Sequence, residues 1–495
     1  MVAIIPLYPQ IRTTYSYEKR SQLHLYPILA FSVEINHCSV SAPPADCEFR
    51  HQIPKMTPAP SDSGMMQAVV FHGPYKVAVE QRPIPKVQDP EDVIVKVGYT
   101  ALCGSELHMF RGVEPAGKDF IMGHEFVGTI VEMGSAVKTL QKGDRVVTAF
   151  TTSCGECFYC KQGWSSRCDK NSLFGCDSLD GGQAEYARIP NAEGSVMKAP
   201  EGVDEKYLVL MGDIFPTGWF AANNAFKNST PQQIAEQTVV LIGCGPVGLC
   251  ALINALEYKP KHILAVDSVP SRLELAKSLG AEPWNFQLDR AGLDKRVQEL
   301  TNGRGADAVI EVVGLSPALR TGFELLRPWG TISSVGVHNG EIPWDGNDAY
   351  SKNLTVQMGR CPVRSVAPRA LEVLKRNQHK LGFMTDKIMP LSQAVEGYKL
   401  FEAHQQNTTT PTSSTLSHLH LPHLRPFSSS SPLLLLLFSL SPIDCFSCSP
   451  SSPPLLIRDS AAFPSHPFLH FLSPSSSLPS RDRTVFKKPF IPPFT

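Results

Sequence analysis

A chain of 495 residues with 42% apolar side chains is long enough for two or three domains and apolar enough to bury real cores. Lys plus Arg and Asp plus Glu both number 46, so no net field draws the chain toward nucleic acid or an anionic membrane surface. Of the 13 cysteines, four crowd together from Cys154 to Cys168, which suits a metal in a reducing compartment better than a disulfide framework.

Residues 1–64 mix prolines, cysteines and charges without periodicity and end in the linker-like Ala59-Pro60-Ser61-Asp62-Ser63-Gly64, so this extension is expected to be disordered. Arg12, Glu18, Lys19 and Arg20 precede a loose apolar stretch at 25–33, an order unlike a secretory signal, and a cytoplasmic location is expected. From Met66 the pattern changes. Residues 67–71 and 92–97 read as strands joined by Gly and Pro turns, as in a small β domain.

Between 238 and 337 strand and helix alternate. Strands are expected at 239–242, 263–266, 308–313 and 331–335, with helices from Pro246 and over 270–279, the latter closed by Gly280. This is the signature of a doubly wound parallel sheet, so the fold class is α/β with a β-rich partner domain. From about 407 the chain turns to Ser, Pro, Leu and Thr; between 408 and 457 only Arg425 and Asp444 carry charge, and a low-complexity, disordered tail is expected. Its longest apolar run, at 433–438, is far below the roughly 20 residues a spanning helix needs.

Gly243-Cys244-Gly245-Pro246-Val247-Gly248 is a GxGxxG that follows an expected strand and opens an expected helix. The first glycine permits the tight turn, the second lets backbone approach a pyrophosphate, and the third lets helix and strand pack closely. Asp267 ends the next strand, where a carboxylate bonds the ribose hydroxyls and repels a 2′-phosphate, so NAD is expected rather than NADP; Arg272 is grouped with it at the cofactor. A glycine-rich turn beside a surface Asp is the bland alternative.

Cys154, Cys157, Cys160 and Cys168 put four thiolates in one loop, the donor set of a closed, structural zinc site. Four free thiols, an iron–sulfur cluster and a nucleic-acid zinc ribbon are the alternatives, the last opposed by Glu156 and Asp169 among the basic residues of the loop. A second constellation is dispersed: Cys103 in CGSELH, His124 in GHEFVG and Asp213 in GDIFPTG. A Cys and a His from separate loops with a third donor at a distant helix start would hold zinc with one position open. Taken singly, Cys103 reads as a buried thiol and His124 as a core histidine.

With these motifs in view, residues 66–406 resemble the zinc-containing medium-chain alcohol dehydrogenases. The GHE loop, the four-cysteine lobe and the GxGxxG carry the resemblance, in that order along the chain. It implies a GroES-like catalytic domain at 66–204 and 350–406, interrupted by a Rossmann domain at 205–349. It also implies two zinc ions per chain, NAD, an alcohol or aldehyde substrate, and a homo-oligomer, dimer or tetramer.

On the resemblance, Cys103 and His124 ligate the catalytic zinc, Glu125 is an alternative or neighbouring ligand, and Glu106 orients His124. Many members carry Cys where Asp213 stands; the DIFPTG stretch looks like the branch that includes glutathione-independent formaldehyde dehydrogenases and threonine dehydrogenase-like enzymes, which makes Asp213 the third ligand. An alcohol oxygen at the open position loses its proton readily, as zinc-bound water does when its pKa falls to about 7, and the alkoxide passes hydride to the nicotinamide. Ser105, the cofactor's ribose and His108 form the expected proton relay, with a surface histidine as the alternative for His108. Thr217, Gly314 and Val337 are expected beside the cofactor, and Arg360 at its pyrophosphate or in an ion pair. Cys176, Cys244 and Cys250 are expected as buried thiols, and Phe110, Phe126 and Trp219 as pocket wall or core.

The family's helix resembling 391–401 is followed by a strand that rejoins the catalytic domain, and here low complexity follows Glu402-Ala403-His404. The closing strand is therefore expected to be missing. Two competing functions follow: an NAD(P)-binding relative inactivated by that loss, and a zinc-ribbon binding module.

Overall fold

The structure, a computed structural model, describes residues 64–406 and 433–436. The disorder expected for 1–64 and for the remainder of 407–495 lies outside the described residues, Gly64 apart. The apolar stretches after Met65 form β1 (Met65–Gly73), β2 (Lys76–Pro83), β3 (Val93–Leu102), β4 (Phe120–Ile121), β5 (Phe126–Met133), β6 (Arg145–Thr148), β7 (Tyr186–Ile189) and β8 (Val196–Lys198). β1 lies between β2 and β4 in one antiparallel sheet, while β3, β5, β6 and β8 pair in sequence in another, with β7 along the first half of β3. Val93, Val95 and Val97 of β3 are all at most 3% exposed because strands flank it and apolar layers cover it.

The alternating segment forms β9 (Thr238–Ile242), β10 (His262–Asp267), β11 (Glu282–Asn285), β12 (Ala306–Glu311), β13 (Leu326–Ser334) and β14 (Thr355–Met358). They make one parallel sheet in the order β11-β10-β9-β12-β13-β14. Strand order reverses between β9 and β12, and ligands of such sheets bind beyond the carboxyl ends of the strands at that switch. Val239, Val240 and Leu241 run apolar without alternation because both sheet faces are buried. The helix Pro270–Leu279 ends at Gly280, whose φ of 113° is the left-handed cap expected there.

One apolar cluster runs from Val127 and Val147 of the antiparallel sheet through Ile214, Phe215 and Trp219 to Val239 and Leu241 of the parallel sheet. It clamps the helix Ile214–Phe226 between the two sheets, with Asp213 at its N-terminus. Phe110, Phe126 and Trp219 are each at most 6% exposed and belong to these clusters, so their role is core.

The expected loss of the closing strand is corrected by the structure. β15 (Ile388–Pro390) pairs antiparallel with β16 (Leu433–Leu436), and β16 pairs parallel with Tyr99–Leu102 of β3, continuing the edge that β7 leaves. A sequence-local reading weighs low complexity against order, but an open sheet edge accepts any short apolar run that can supply backbone partners.

Candidate active site and metal centres

Four donors from three parts of the chain converge: Cys103, His124, Glu125 and Asp213 place one ligand atom each within 4.8 Å of one another. Cys103 caps the helix Gly104–Arg111, where its backbone N–H donates to Glu106 Oε2 at 2.9 Å. His124 and Glu125 sit in the turn before β5, where only glycine fits at 123: its φ is 101°, and an added Cβ would lie 2.6 Å from Gln183. His124 Nε2 lies 3.8 Å from Glu125 Oε1 and 3.7 Å from Asp213 Oδ2. Its Nδ1 faces Glu106 Oε1 at 3.1 Å, the geometry that orients a ligating imidazole.

The electrostatics of this cluster are those of a cation site. Burial, reinforced by Glu125, pushes the Cys103 thiol up to about 11. Burial likewise drives the Glu125 carboxyl well up, against the pull of His124 and with Asp213 adding repulsion. Burial works to lower His124, yet Glu106 and Asp213 outweigh it and raise the imidazole well above its ordinary value. Both Glu125 oxygens are buried without a hydrogen-bond partner. A thiol, an imidazole and two carboxylates at this spacing fit zinc, whose charge would match theirs.

Ser105 Oγ lies 3.4 Å from Cys103 Sγ and 3.5 Å from His124 Nε2, so the structure brings it to the cluster. It forms no hydrogen bond with His108, whose pKa burial lowers. Thr217 Oγ1 donates to Asp213 Oδ1 at 2.7 Å one turn along the helix.

The four cysteines of the lobe also come together, their sulfurs within the same 4.8 Å limit. Backbone N–H groups of Cys154 and Lys170 point at Cys168 Sγ at 3.2 and 3.3 Å, and that of Cys157 at Cys154 Sγ at 3.3 Å. Such N–H donors favour thiolates. Hydrogen bonding from the Asp169 and Cys160 backbone brings Cys157 down to about 7, while burial lifts Cys160 to about 12. A closed all-sulfur set fits a structural zinc.

At the switch point, Gly243 takes a φ of 94° and an added Cβ would lie 2.7 Å from Val313. Gly245 begins the helix Pro246–Glu257 with no side chain to cap it, so the first N–H groups remain available to an anion. Asp267 is 4% exposed, which excludes the surface-Asp alternative. Its carboxylate accepts from the backbone N–H of Cys244 at 2.8 Å, Ser268 at 2.7 Å and Val269 at 2.9 Å, and pairs with Arg272 Nη1 at 3.1 Å. Burial brings Arg272 down to about 10, with Asp267 opposing. Gly314 abuts Val337 across the ends of β12 and β13, since an added Cβ would lie 2.7 Å from the Val337 nitrogen.

Arg360 packs its guanidinium 5.7 Å above the Phe150 ring. Cys244 and Cys250 are fully buried, as expected, but Cys176 is half-buried and bonded to the Leu173 carbonyl at 3.1 Å.

Sequence reasoning missed two networks. Glu311 Oε1 accepts from Val313 N and Gly314 N, both at 2.7 Å, while Oε2 holds Ser334 Oγ at 2.7 Å and His338 Nε2 at 3.0 Å. It ties together the loops after β12 and β13. Gln183 bridges Glu106 and Tyr398; the double glycine Gly181-Gly182 before it was the available signal.

Fold and site together define a zinc-dependent oxidoreductase with a dinucleotide sheet. The chain matches the family described as alcohol dehydrogenase GroES-like domain over residues 89–201, and that described as zinc-binding dehydrogenase over 246–376. It is 81% identical over 343 residues to zinc-type alcohol dehydrogenase B of Aspergillus flavus, covering 69% of this chain and 80% of that protein. An uncharacterized zinc-type alcohol dehydrogenase-like protein of Bacillus subtilis is 34% identical over 376 residues, covering 68% and 97%. The alcohol dehydrogenase TADH from Thermus sp. ATN1 superposes with a TM-score of 0.65 at 31% identity, covering 75% of this chain and 100% of that one. The chain belongs to the zinc-containing medium-chain alcohol dehydrogenase family.

Proposed function

We propose that this chain oxidises an alcohol, or reduces the corresponding aldehyde, with NAD at a zinc held by Cys103, His124 and Asp213, with Glu125 as alternate ligand. The observation that carries the proposal is the convergence of these four donors at the foot of the helix Ile214–Phe226. That helix packs on the helix beginning at Gly245: a Cβ on Gly218 would lie 2.6 Å from the Ala251 nitrogen. Metal donors and dinucleotide turn are thereby tied to one rigid element.

Zinc bound there supplies Lewis acidity that makes a substrate hydroxyl easier to deprotonate. The chain's own residues do the rest. Glu106 fixes the His124 ring, and Thr217 fixes Asp213. Ser105, beside Cys103 and His124, takes up the substrate proton; because it does not hydrogen-bond His108 directly, a ribose hydroxyl of the bound cofactor would link it to His108, the outer member of the relay.

The Gly243-Cys244-Gly245 turn and the N–H groups after Pro246, including those of Val247 and Gly248, bind the pyrophosphate. Asp267, seated by Arg272, takes the adenosine ribose and disfavours a 2′-phosphate. Gly314 and Val337, braced by Glu311, border the nicotinamide. Cys154, Cys157, Cys160 and Cys168 hold a second, structural zinc. The catalytic domain takes 66–204 and the last part of the segment up to 406, and the dinucleotide domain runs from 205 through β14, past the expected limit at 349, because Thr355–Met358 pairs with β13 in the parallel sheet. The protein works as a cytoplasmic homo-oligomer, dimer or tetramer; no helix among the described residues is long and apolar enough to cross a membrane.

The test is NAD reduction by the zinc-loaded full chain across simple alcohols, polyols, threonine-like amino alcohols and formaldehyde adducts, with NADP as comparator. Turnover of one class with NAD is expected. Failure with every class and both cofactors contradicts the proposal.

A further inference from the structure

A chain of hydrogen bonds leaves the metal cluster from the Nδ1 side of His124, opposite the Nε2 that faces Asp213, and ends on the helix Ala394–Gln406. Tyr398 OH donates to Gln183 Oε1 at 2.9 Å; Gln183 Nε2 donates to Glu106 Oε2 at 3.2 Å and to the Ala101 carbonyl at 3.1 Å. Glu106 Oε1 then faces His124 Nδ1 at 3.1 Å. Tyr398 and Gln183 are wholly buried, Glu106 is 1% exposed and His124 5%.

The orientation of each link is fixed by chemistry. Two acceptors on one side of the Gln183 amide demand its NH2 group there, so its carbonyl must meet the Tyr398 hydroxyl, which must donate. The backbone holds the amide in register: Gln183 N–H donates to Met122 O at 2.8 Å, and Val69 N–H donates to Gln183 O at 2.8 Å. In a dry interior every member of such a chain has to be satisfied, since losing one donor strands its acceptor.

We propose that Gln183 and Tyr398 are positioning residues for the metal centre. Through Glu106 they set the ring orientation and donor strength of His124, so that the helix Ala394–Gln406 controls how firmly Cys103 and His124 hold their ion. This rests on the reading of Cys103 and His124 as metal ligands. Tyr398 also packs in the cluster of Leu107, Phe110, Leu391 and Phe401, so a purely structural role is the alternative to be separated.

The experiment uses the cobalt-substituted full chain. Absorption from the Cys103-bound ion, assigned by its loss in Cys103→Ser, is followed spectroscopically and then during release to a chelator. Tyr398→Phe keeps the ring and removes one donor; it is expected to shift the band and to speed release by about 3–10-fold, below the 10–100-fold typical when a direct partner of a ligand is lost. Gln183→Met, which removes all three hydrogen bonds of the side-chain amide, is expected to exceed it. Phe401→Leu loosens the same helix while removing none of the hydrogen bonds from Tyr398 to His124, and is expected to lower Tm while leaving band and release rate at wild-type values. Unchanged band and release in Tyr398→Phe and Gln183→Met, or equal effects in Phe401→Leu, overturn the proposal. A wild-type chain with no Cys103-dependent band overturns the metal-ligand reading itself, and the proposal with it.

Discussion

Thr217 Oγ1 donates to Asp213 Oδ1 at 2.7 Å, which turns the other carboxylate oxygen toward His124 Nε2, 3.7 Å away. Asp213 begins the helix and Thr217 lies one turn on, so a rigid element rather than a loop aims the third donor. Thr217→Val removes the hydroxyl at nearly constant volume. Zinc affinity at this site and kcat are expected to fall about 10-fold, the lower end of what loss of a ligand's partner costs. Competition against a zinc chelator measures it, and wild-type affinity would remove Thr217 from the site.

The β15–β16–β3 pairing predicts that β16 contributes to stability. Leu435 pairs with Ile388 and Ala101 in register, and Leu435→Pro deletes a backbone donor from that ladder. A loss of about 1–3 kcal/mol is expected, the scale of one buried acceptor left unpaired. Thermal unfolding of the full chain reads it; an unchanged Tm would mean that the sheet closes without β16.

Much of this was legible in the sequence where chemistry and local pattern coincide. GxGxxG between a strand and a helix, Asp267 at the next strand end, and Gly280 after its helix were placed correctly because each is dictated by backbone geometry within a few residues. The four lobe cysteines came together for the same reason. The 433–436 strand was not legible, because its order comes from a sheet edge more than 300 residues earlier in the chain, at Tyr99–Leu102. Gln183 and Tyr398 were invisible on the same ground: a Gln and a Tyr carry no signal until folding puts them beside Glu106.

Asp267 and Arg272 form a buried pair, 4% and 2% exposed. Asp267→Asn leaves the guanidinium without its counter-charge, and a stability loss of about 3–5 kcal/mol is expected. The preference for NAD over NADP should fall at the same time, because the repelling carboxylate is gone. Urea unfolding and the ratio of kcat/KM for the two cofactors are the readouts; an unchanged ratio would take Asp267 out of cofactor selection.

His72 sits between Glu80 Oε1 and Asp119 Oδ1, both at 2.7 Å. Its hydrogen bond to Glu80, then that to Asp119, raises its pKa above the ordinary 6.5. A raised folded-state pKa means that the stabilisation is fully present below the unfolded value of about 6.5 and is lost as pH rises through the folded value. The side chain is a third exposed, so the effect is small. Tm of wild type minus Tm of His72→Gln is expected to be positive at pH 6 and to shrink as pH rises through the raised folded-state value; a difference that grows with pH contradicts the assignment.

The central claim is that Cys103 and His124 hold a zinc distinct from that of the four-cysteine lobe. Zinc counted per chain in the purified full-length protein, beside Cys103→Ser, tests it most directly. Two ions in the wild type, one in a folded Cys103→Ser that no longer reduces NAD, is the predicted result. A single ion in the active wild type, or two in a Cys103→Ser that retains full turnover, would contradict it.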